Sequence, residues 1–169
     1  MRKFFLSLSV VMAATGAARA EGCFGPGKAL FHCTVKGGAK SVDVCLQDSV
    51  VYYRFGPVAA PAEMLLAQPV AEVHMSPWNG IGRTIYEEVG FANAAFDYTV
   101  HYAIDRIPGD GEVKPSISGG VTVIKGDQTV AQLECDAGSI SVNDLYPLYE
   151  AKEAVGQCWD RAAFQWGPC

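Results

Sequence analysis

The sequence predicts a mainly β protein: an antiparallel barrel or sandwich of about seven or eight strands, with one C-terminal helix and a disulfide framework. Three observations carry this. Apolar and aromatic residues recur with a period of two in several short runs, most clearly over Ile81–Asp105. Short Gly-, Asn- and Asp-containing links separate those runs. Six cysteines, an even number, follow a stretch that reads as an export leader.

Residues 1–20 carry the leader pattern. Arg2 and Lys3 form a basic start, Phe4–Ala14 is a short, mostly apolar run, and Ala18-Arg19-Ala20 fits small-x-small cleavage. The apolar run is shorter than the about 20 residues a membrane-spanning helix needs. Cys23 follows Glu21-Gly22, a poor match to a lipidation site. The expected mature chain is 21–169, one β-rich domain, periplasmic or secreted. Losing Arg2, Lys3 and Arg19 leaves ten basic against 18 acidic residues, a net charge of −8. That balance disfavours nucleic acid and anionic membranes as partners, and no stable membrane insertion is expected.

Taken in order, Ala29–Val35 is a strand, Lys36–Lys40 a Gly-Gly turn and Ser41–Leu46 the return strand. Pairing about a centre at Ala39 sets Cys33 opposite Cys45. Gln47-Asp48-Ser49 turns the chain into a third strand, Val50–Phe55. Gly56–Pro69, with three prolines, is expected to be a loop with an extended piece at Met64–Leu66, and Val70–Met75 a strand.

The central hairpin comes next. Phe96, Tyr98, Val100, Tyr102 and Ile104 share one face. Asp97, Thr99, His101 and Asp105 share the other, with Ala103 among them. Ile85, Val89 and Phe91 alternate in the same way, and Asn93 is the candidate for a left-handed turn position. Pro108–Gly120, with four glycines and two prolines, predicts a long loop. Val121–Cys135 predicts a hairpin turning at Lys125–Gln128, with Val121 and Val123 against Ala131 and Leu133.

A helix is expected after Ser141, Asn143 or Asp144. Pro147 is tolerated in its first turn, Leu145, Leu148 and Tyr149 form its apolar face, and Gly156 ends it. The tail Gln157–Cys169, with Trp159 and Trp166, lies back over the sheet.

Chemistry is sparsely signalled. His32, His74 and His101 are isolated and read as sheet-surface or edge residues; no metal site and no cofactor are expected. G-x-S-x-G is absent, and all six cysteines have a structural use. The adjacent Glu87 and Glu88 point to opposite faces of a strand and cannot form a carboxylate dyad. Tyr52, Tyr53, Phe91, Phe96, Tyr98 and Tyr102 read as core filling. The candidate binding residues are Trp78, Asn79 and Arg83, on the Gly-rich loop Ser76–Arg83; packing of Trp78 over a barrel end is the alternative. Hairpin register predicts the disulfide Cys33–Cys45, sequence proximity predicts Cys158–Cys169, and Cys23–Cys135 is left over.

Together, the leader, the Cys-containing first hairpin, Tyr52-Tyr53-Arg54-Phe55-Gly56, the Gly82-Arg83-Thr84-x-Tyr86 entry, Gly119–Val123 and Leu133–Asp136 resemble small, uncharacterised exported proteins of Gram-negative bacteria. A second resemblance is to periplasmic lysozyme inhibitors, small disulfide-bearing β-barrels that plug an enzyme cleft with a loop of Ser-Gly followed, after two intervening residues, by Tyr. Here Ser118-Gly119-Gly120-Val121-Thr122 matches, with Thr122 in the tyrosine position. The expected function is that of a non-enzymatic exported binding protein of the cell envelope; lysozyme inhibition, which this resemblance implies, is its most specific version, with an envelope or host protein such as a lysozyme as partner. The alternatives are a structural or stress-related periplasmic protein, or an enzyme whose site is assembled from scattered residues.

Overall fold

The computed structural model describes residues 23, 26–108 and 113–169. The leader expected at 1–20 lies outside them. The chain forms β1 (Lys28–Val35), β2 (Lys40–Gln47), β3 (Val50–Pro57) and β4 (Met64–Pro69), then β5 (His74–Ser76), β6 (Thr84–Asn93), β7 (Phe96–Pro108), β8 (Val113–Lys125) and β9 (Gln128–Glu134). A short β10 (Val142–Asn143), helix α1 (Tyr146–Ala154) and a ribbon of β11 (Gln157–Asp160) and β12 (Gln165–Pro168) complete it.

Two five-stranded antiparallel sheets result, in the orders β10-β1-β2-β3-β4 and β5-β6-β7-β8-β9. Short links between consecutive strands make β1–β4 and β5–β9 meanders, and β10 returns late in the chain to pair with β1. No ladder joins the two sheets among the described residues, so the architecture is a sandwich and not a closed barrel. The strand number exceeds the sequence expectation because β10, β11 and β12 are two to four residues long, too short for a period of two to show, and because Met64–Pro69, expected as a loop with a short extended piece, is the full strand β4. The inner faces meet through Phe31, Val42, Val44, Val51 and Tyr53 on one side and Met75, Val89, Phe91, Val100 and Val121 on the other. Tyr53 spans the interface, its ring 5.6 Å from that of Phe91 and 5.9 Å from that of Tyr98. Burial holds the Tyr53 hydroxyl far above the ordinary phenol range.

The central hairpin forms as the alternation predicts. Phe91 faces Tyr98, Val89 faces Val100 and Ile85 faces Ile104. The left-handed turn residue is Ala94 (φ 54) and not Asn93, because the two-residue turn falls one position later. The β8–β9 hairpin pairs Val121 with Leu133 and Val123 with Ala131.

The first hairpin overturns two of the three expected disulfides. Lys36, Gly37 and Gly38 all take positive φ (58, 69 and 81), so the turn closes with Val35 opposite Lys40. Cys33 then faces Val42. A bulge at Leu30 sets Cys45 opposite Ala29. Cys33 shares the inner face with Val42, while Cys45, three residues on from Val42, lies on the outer face. Each therefore finds another partner. Cys33 bonds Cys135 at the edge of the second sheet, and Cys45 bonds Cys23, with Cα separations of 5.8 and 5.6 Å. Cys158–Cys169 forms as expected.

Two segments differ from the loop and strand assignments. Residues 113–120, expected within a loop, belong to β8, which pairs with β7 from Pro108↔Val113 onward. Their glycines serve close backbone approach instead of a turn. A Cβ at Gly119 would lie 2.7 Å from the His101 carbonyl oxygen, and one at Gly120 would lie 2.2 Å from that of Leu133. Val70–Val73, expected as part of a strand, is a turn tied by Glu72 and Val73 N–H to Pro69 O. The chain there must leave one sheet for the other.

At the opposite side of the sandwich the chain crosses back. Cys135 N–H bonds Gly119 O in β8, and Asp136 N–H bonds Thr34 O in β1. The Asp136 carboxylate accepts the N–H groups of Gly37 (2.9 Å) and Gly38 (2.7 Å) and the Thr34 hydroxyl (3.0 Å). Those backbone donors hold its carboxyl below the usual range. Helix α1 follows, with Pro147 in its first turn and Gly156 (φ 82) just past its end. No side chain caps it in the standard N-cap manner; Asp144 Oδ1 accepts the Tyr146 N–H (3.2 Å). Leu145, Leu148 and Lys152 are buried. No helix among the described residues is long and apolar enough to cross a membrane.

Candidate binding cleft

The loop between β5 and β6 is held by its own polar groups. Asn79 Oδ1 accepts the Ile81 N–H (2.9 Å), and Trp78 Nε1 donates to Ile81 O (3.2 Å). Gly80 and Gly82 sit at φ 83 and 94, which an L side chain resists. From β7, Arg106 lies over the Trp78 ring at 5.2 Å and donates to the carbonyls of Gly82 (2.7 Å) and Arg83 (2.8 Å). The loop is thus braced, while Ile81 at its tip is 77% exposed.

The C-terminal tail supplies the facing wall. Residues i and i+3 of α1, Tyr146 and Tyr149, stack in parallel at 6.3 Å. Trp166 of β12 packs edge-on to Tyr149 (5.1 Å) and beside Trp159 of β11 (5.5 Å). Its Nε1 donates to Met75 O (2.8 Å), pinning the ribbon to β5. Between loop and tail lies a cleft of about 240 Å³, lined by Trp78, Tyr146, Tyr149 and Trp159, with Met75 and Pro77, and by two charged groups, Glu87 and Arg161. Glu87 accepts the Tyr102 hydroxyl and the Trp78 N–H. Burial first, then the bond to Glu87, keeps the Tyr102 hydroxyl protonated far above its ordinary range. Trp159 Nε1 is buried with no acceptor among the described residues.

Of the residues expected to bind, Trp78 lines the cleft. Asn79 shapes the loop, and Arg83 forms an exposed two-point ion pair with Asp105 (2.7 and 3.0 Å). Glu87 and Glu88 do point to opposite faces. Glu88 lies outside, bonded to Tyr86 (2.8 Å) and His74 (3.4 Å), and its carboxyl is lowered chiefly by the histidine. The other lining groups were not among the residues expected to bind. Their signals were the i, i+3 tyrosines and a tail too short to pack alone.

The histidines stay apart or pair singly. His32 bonds the buried Asp43 (2.5 Å), which also binds Arg54 and Ser41 on the outer face of the first sheet. His101 stacks on Tyr86 at 5.9 Å. Among the described residues, no group of three or more His, Cys, Asp or Glu is placed to hold a metal ion. Tyr53, Phe91 and Tyr102 fill the core, as expected; Phe96 and Tyr98 pack against it only partly buried, and Tyr52, on the opposite face of β3 from Tyr53, is half-buried outside it. The Ser118–Thr122 run aligned with the inhibitor loop is not a loop: it lies within β8, paired with β7, and from Gly120 with β9 as well. No family model, curated protein or solved structure matches the chain.

Proposed function

We propose that this chain is a non-enzymatic, exported binding module of the cell envelope that seats its ligand in the Trp78 cleft. The observation that carries the proposal is convergence. Four aromatic rings from a loop near residue 78 and from a tail about 70–80 residues later meet around one opening. All four are at least partly exposed, in contrast to Phe31, Tyr53 and Phe91 between the sheets. Trp, Tyr and Arg are the residue types that dominate binding energy at recognition surfaces. Three of the most exposed large apolar residues are Ile81 at the loop tip, Tyr146 on the wall and Phe164 in the same turn as Arg161. That concentration of apolar surface at one end suits contact with a partner.

The lysozyme-inhibitor version rests on charge alone, the acidic chain suiting a basic enzyme. Titration into a cell-wall clearing assay tests it, and inhibition should weaken as salt rises. The general proposal is tested by capture from envelope extract on immobilised mature protein. Trp78→Ala should lose the captured ligand, at a cost of about 2 kcal/mol or more, roughly thirtyfold. Undiminished capture by a folded Trp78→Ala protein would refute the cleft as the site.

A further inference from the structure

Resting on the cleft as the binding site, we infer that its ligand is an uncharged sugar ring of an envelope glycan. The two charged groups in the lining decide the class. A cationic ligand would be drawn to the rings and to Glu87, but Arg161 lines the same space and Arg106 stands 5.2 Å over the Trp78 ring. An anionic ligand would meet Glu87 and the electron-rich ring faces. A wholly apolar occupant would strip water from a carboxylate and a guanidinium without replacing their hydrogen bonds.

A pyranose meets all these demands at once. Its C–H face packs on an aromatic wall, and its hydroxyls both donate to Glu87 and accept from Arg161. Glu87 already accepts from Tyr102 and Trp78, and a carboxylate has about four acceptor sites, so capacity is left. Arg161 makes no ion pair among the described residues, so no carboxylate holds its guanidinium away from a ligand.

Size and rigidity agree with this assignment. About 240 Å³ is below the roughly 300–1,000 Å³ of pockets that enclose drug-sized ligands, so the cleft holds one ring of a longer chain. The walls are fixed beforehand by Arg106 on Trp78, by Trp166 on Met75 O and by the Cys158–Cys169 bridge. Little ordering cost is then left for a small polar ligand to offset.

The test titrates mature protein with chitotetraose, cellotetraose, maltotetraose, tetramethylammonium and citrate, following the indole N–H resonances assigned by Trp78→Phe and Trp159→Phe. At least one neutral tetrasaccharide should shift Trp78 and Trp159 saturably, equally at low and moderate salt, and which one responds names the source glycan. Arg161→Ala, on an exposed side chain, should weaken that binding about tenfold or more without lowering the melting temperature. Saturable binding of tetramethylammonium or citrate with silent saccharides overturns the sugar assignment. So do silent saccharides when envelope extract still yields a protein captured through Trp78; the cleft proposal then stands. Silent saccharides together with capture indifferent to Trp78 overturn both.

Discussion

Arg106 and Trp78 form a stacked pair, with the guanidinium carbon 5.2 Å from the ring centroid and its N–H groups committed to the carbonyls of Gly82 and Arg83. One residue of β7 therefore fixes both the ring and the backbone of the loop. Arg106→Ala should release the Trp78 indole, shifting its emission and weakening ligand capture. The stacking alone should cost about 0.5–2 kcal/mol. Arg106→Lys should restore charge but not the two carbonyl bonds, and so recover only part of the loss. Unchanged emission and capture in both variants would remove Arg106 as a brace.

The disulfide pairing has unequal energetic consequences. Cys33–Cys135 spans 102 residues and joins the two sheets, whereas Cys158–Cys169 spans 11 and only closes the ribbon. By chain entropy, replacing the first pair with alanines should cost about 4–5 kcal/mol and the second about 3 kcal/mol. The second replacement should also loosen the Trp159 wall and reduce binding. Non-reducing peptide mapping checks the connectivity; a Cys33–Cys45 peptide would contradict the register found here.

Asp136 links stability to acid pH. Its folded-state pKa lies below the ordinary value because Gly37 and Gly38 N–H bond the charged form. The contribution is therefore complete above the unfolded pKa, about 3.9, and is lost as pH falls through the folded one. Asp136→Asn should melt lower than the parent at pH 7, with the gap closing toward pH 2. A gap independent of pH would mean the carboxylate charge is not what the turn uses.

Lys152 should act in the opposite part of the scale. Its buried ammonium donates to Val70 O (2.9 Å) and Gln157 Oε1 (3.2 Å), and burial pulls its pKa down from 10.5 to about 8. Below pH 8 both states are protonated. Between about 8 and 10.5 the unfolded chain holds the proton more tightly, so stability rises with pH across that window. The raised pKa values of Tyr53 and Tyr102 oppose this rise above about pH 10, where only the unfolded phenols ionise. Melting curves at pH 7.5 and 9.5 should show the parent gaining on Lys152→Met. No difference in slope would place the folded-state pKa near its ordinary value.

The alternation over Phe96–Ile104 and the Val121–Leu133 hairpin were legible because a strand's two faces are a local property of every second residue. The helix around Leu145 and Leu148, with Pro147 early and Gly156 late, was legible for the same reason, since its signals lie within ten residues. What local pattern could not supply was register. Three successive positive-φ residues moved the first turn, and with it the partners of Cys33 and Cys45. Nor does a glycine state its purpose: at Gly119 and Gly120 it admits a neighbouring backbone, although the same residues in a loop would make a turn.

By itself, then, the sequence determined the β class, the central hairpin, the terminal helix and a framework that uses every cysteine. Only the tertiary structure decided that the sheets stack as a sandwich, which cysteines bond, and that Trp78 meets Tyr146, Tyr149 and Trp159 across Glu87 and Arg161. The reason is range. Strand and helix patterns follow from neighbours a few residues apart, whereas the cleft depends on where a loop and a tail about 70–80 residues apart come to rest on the same sheet.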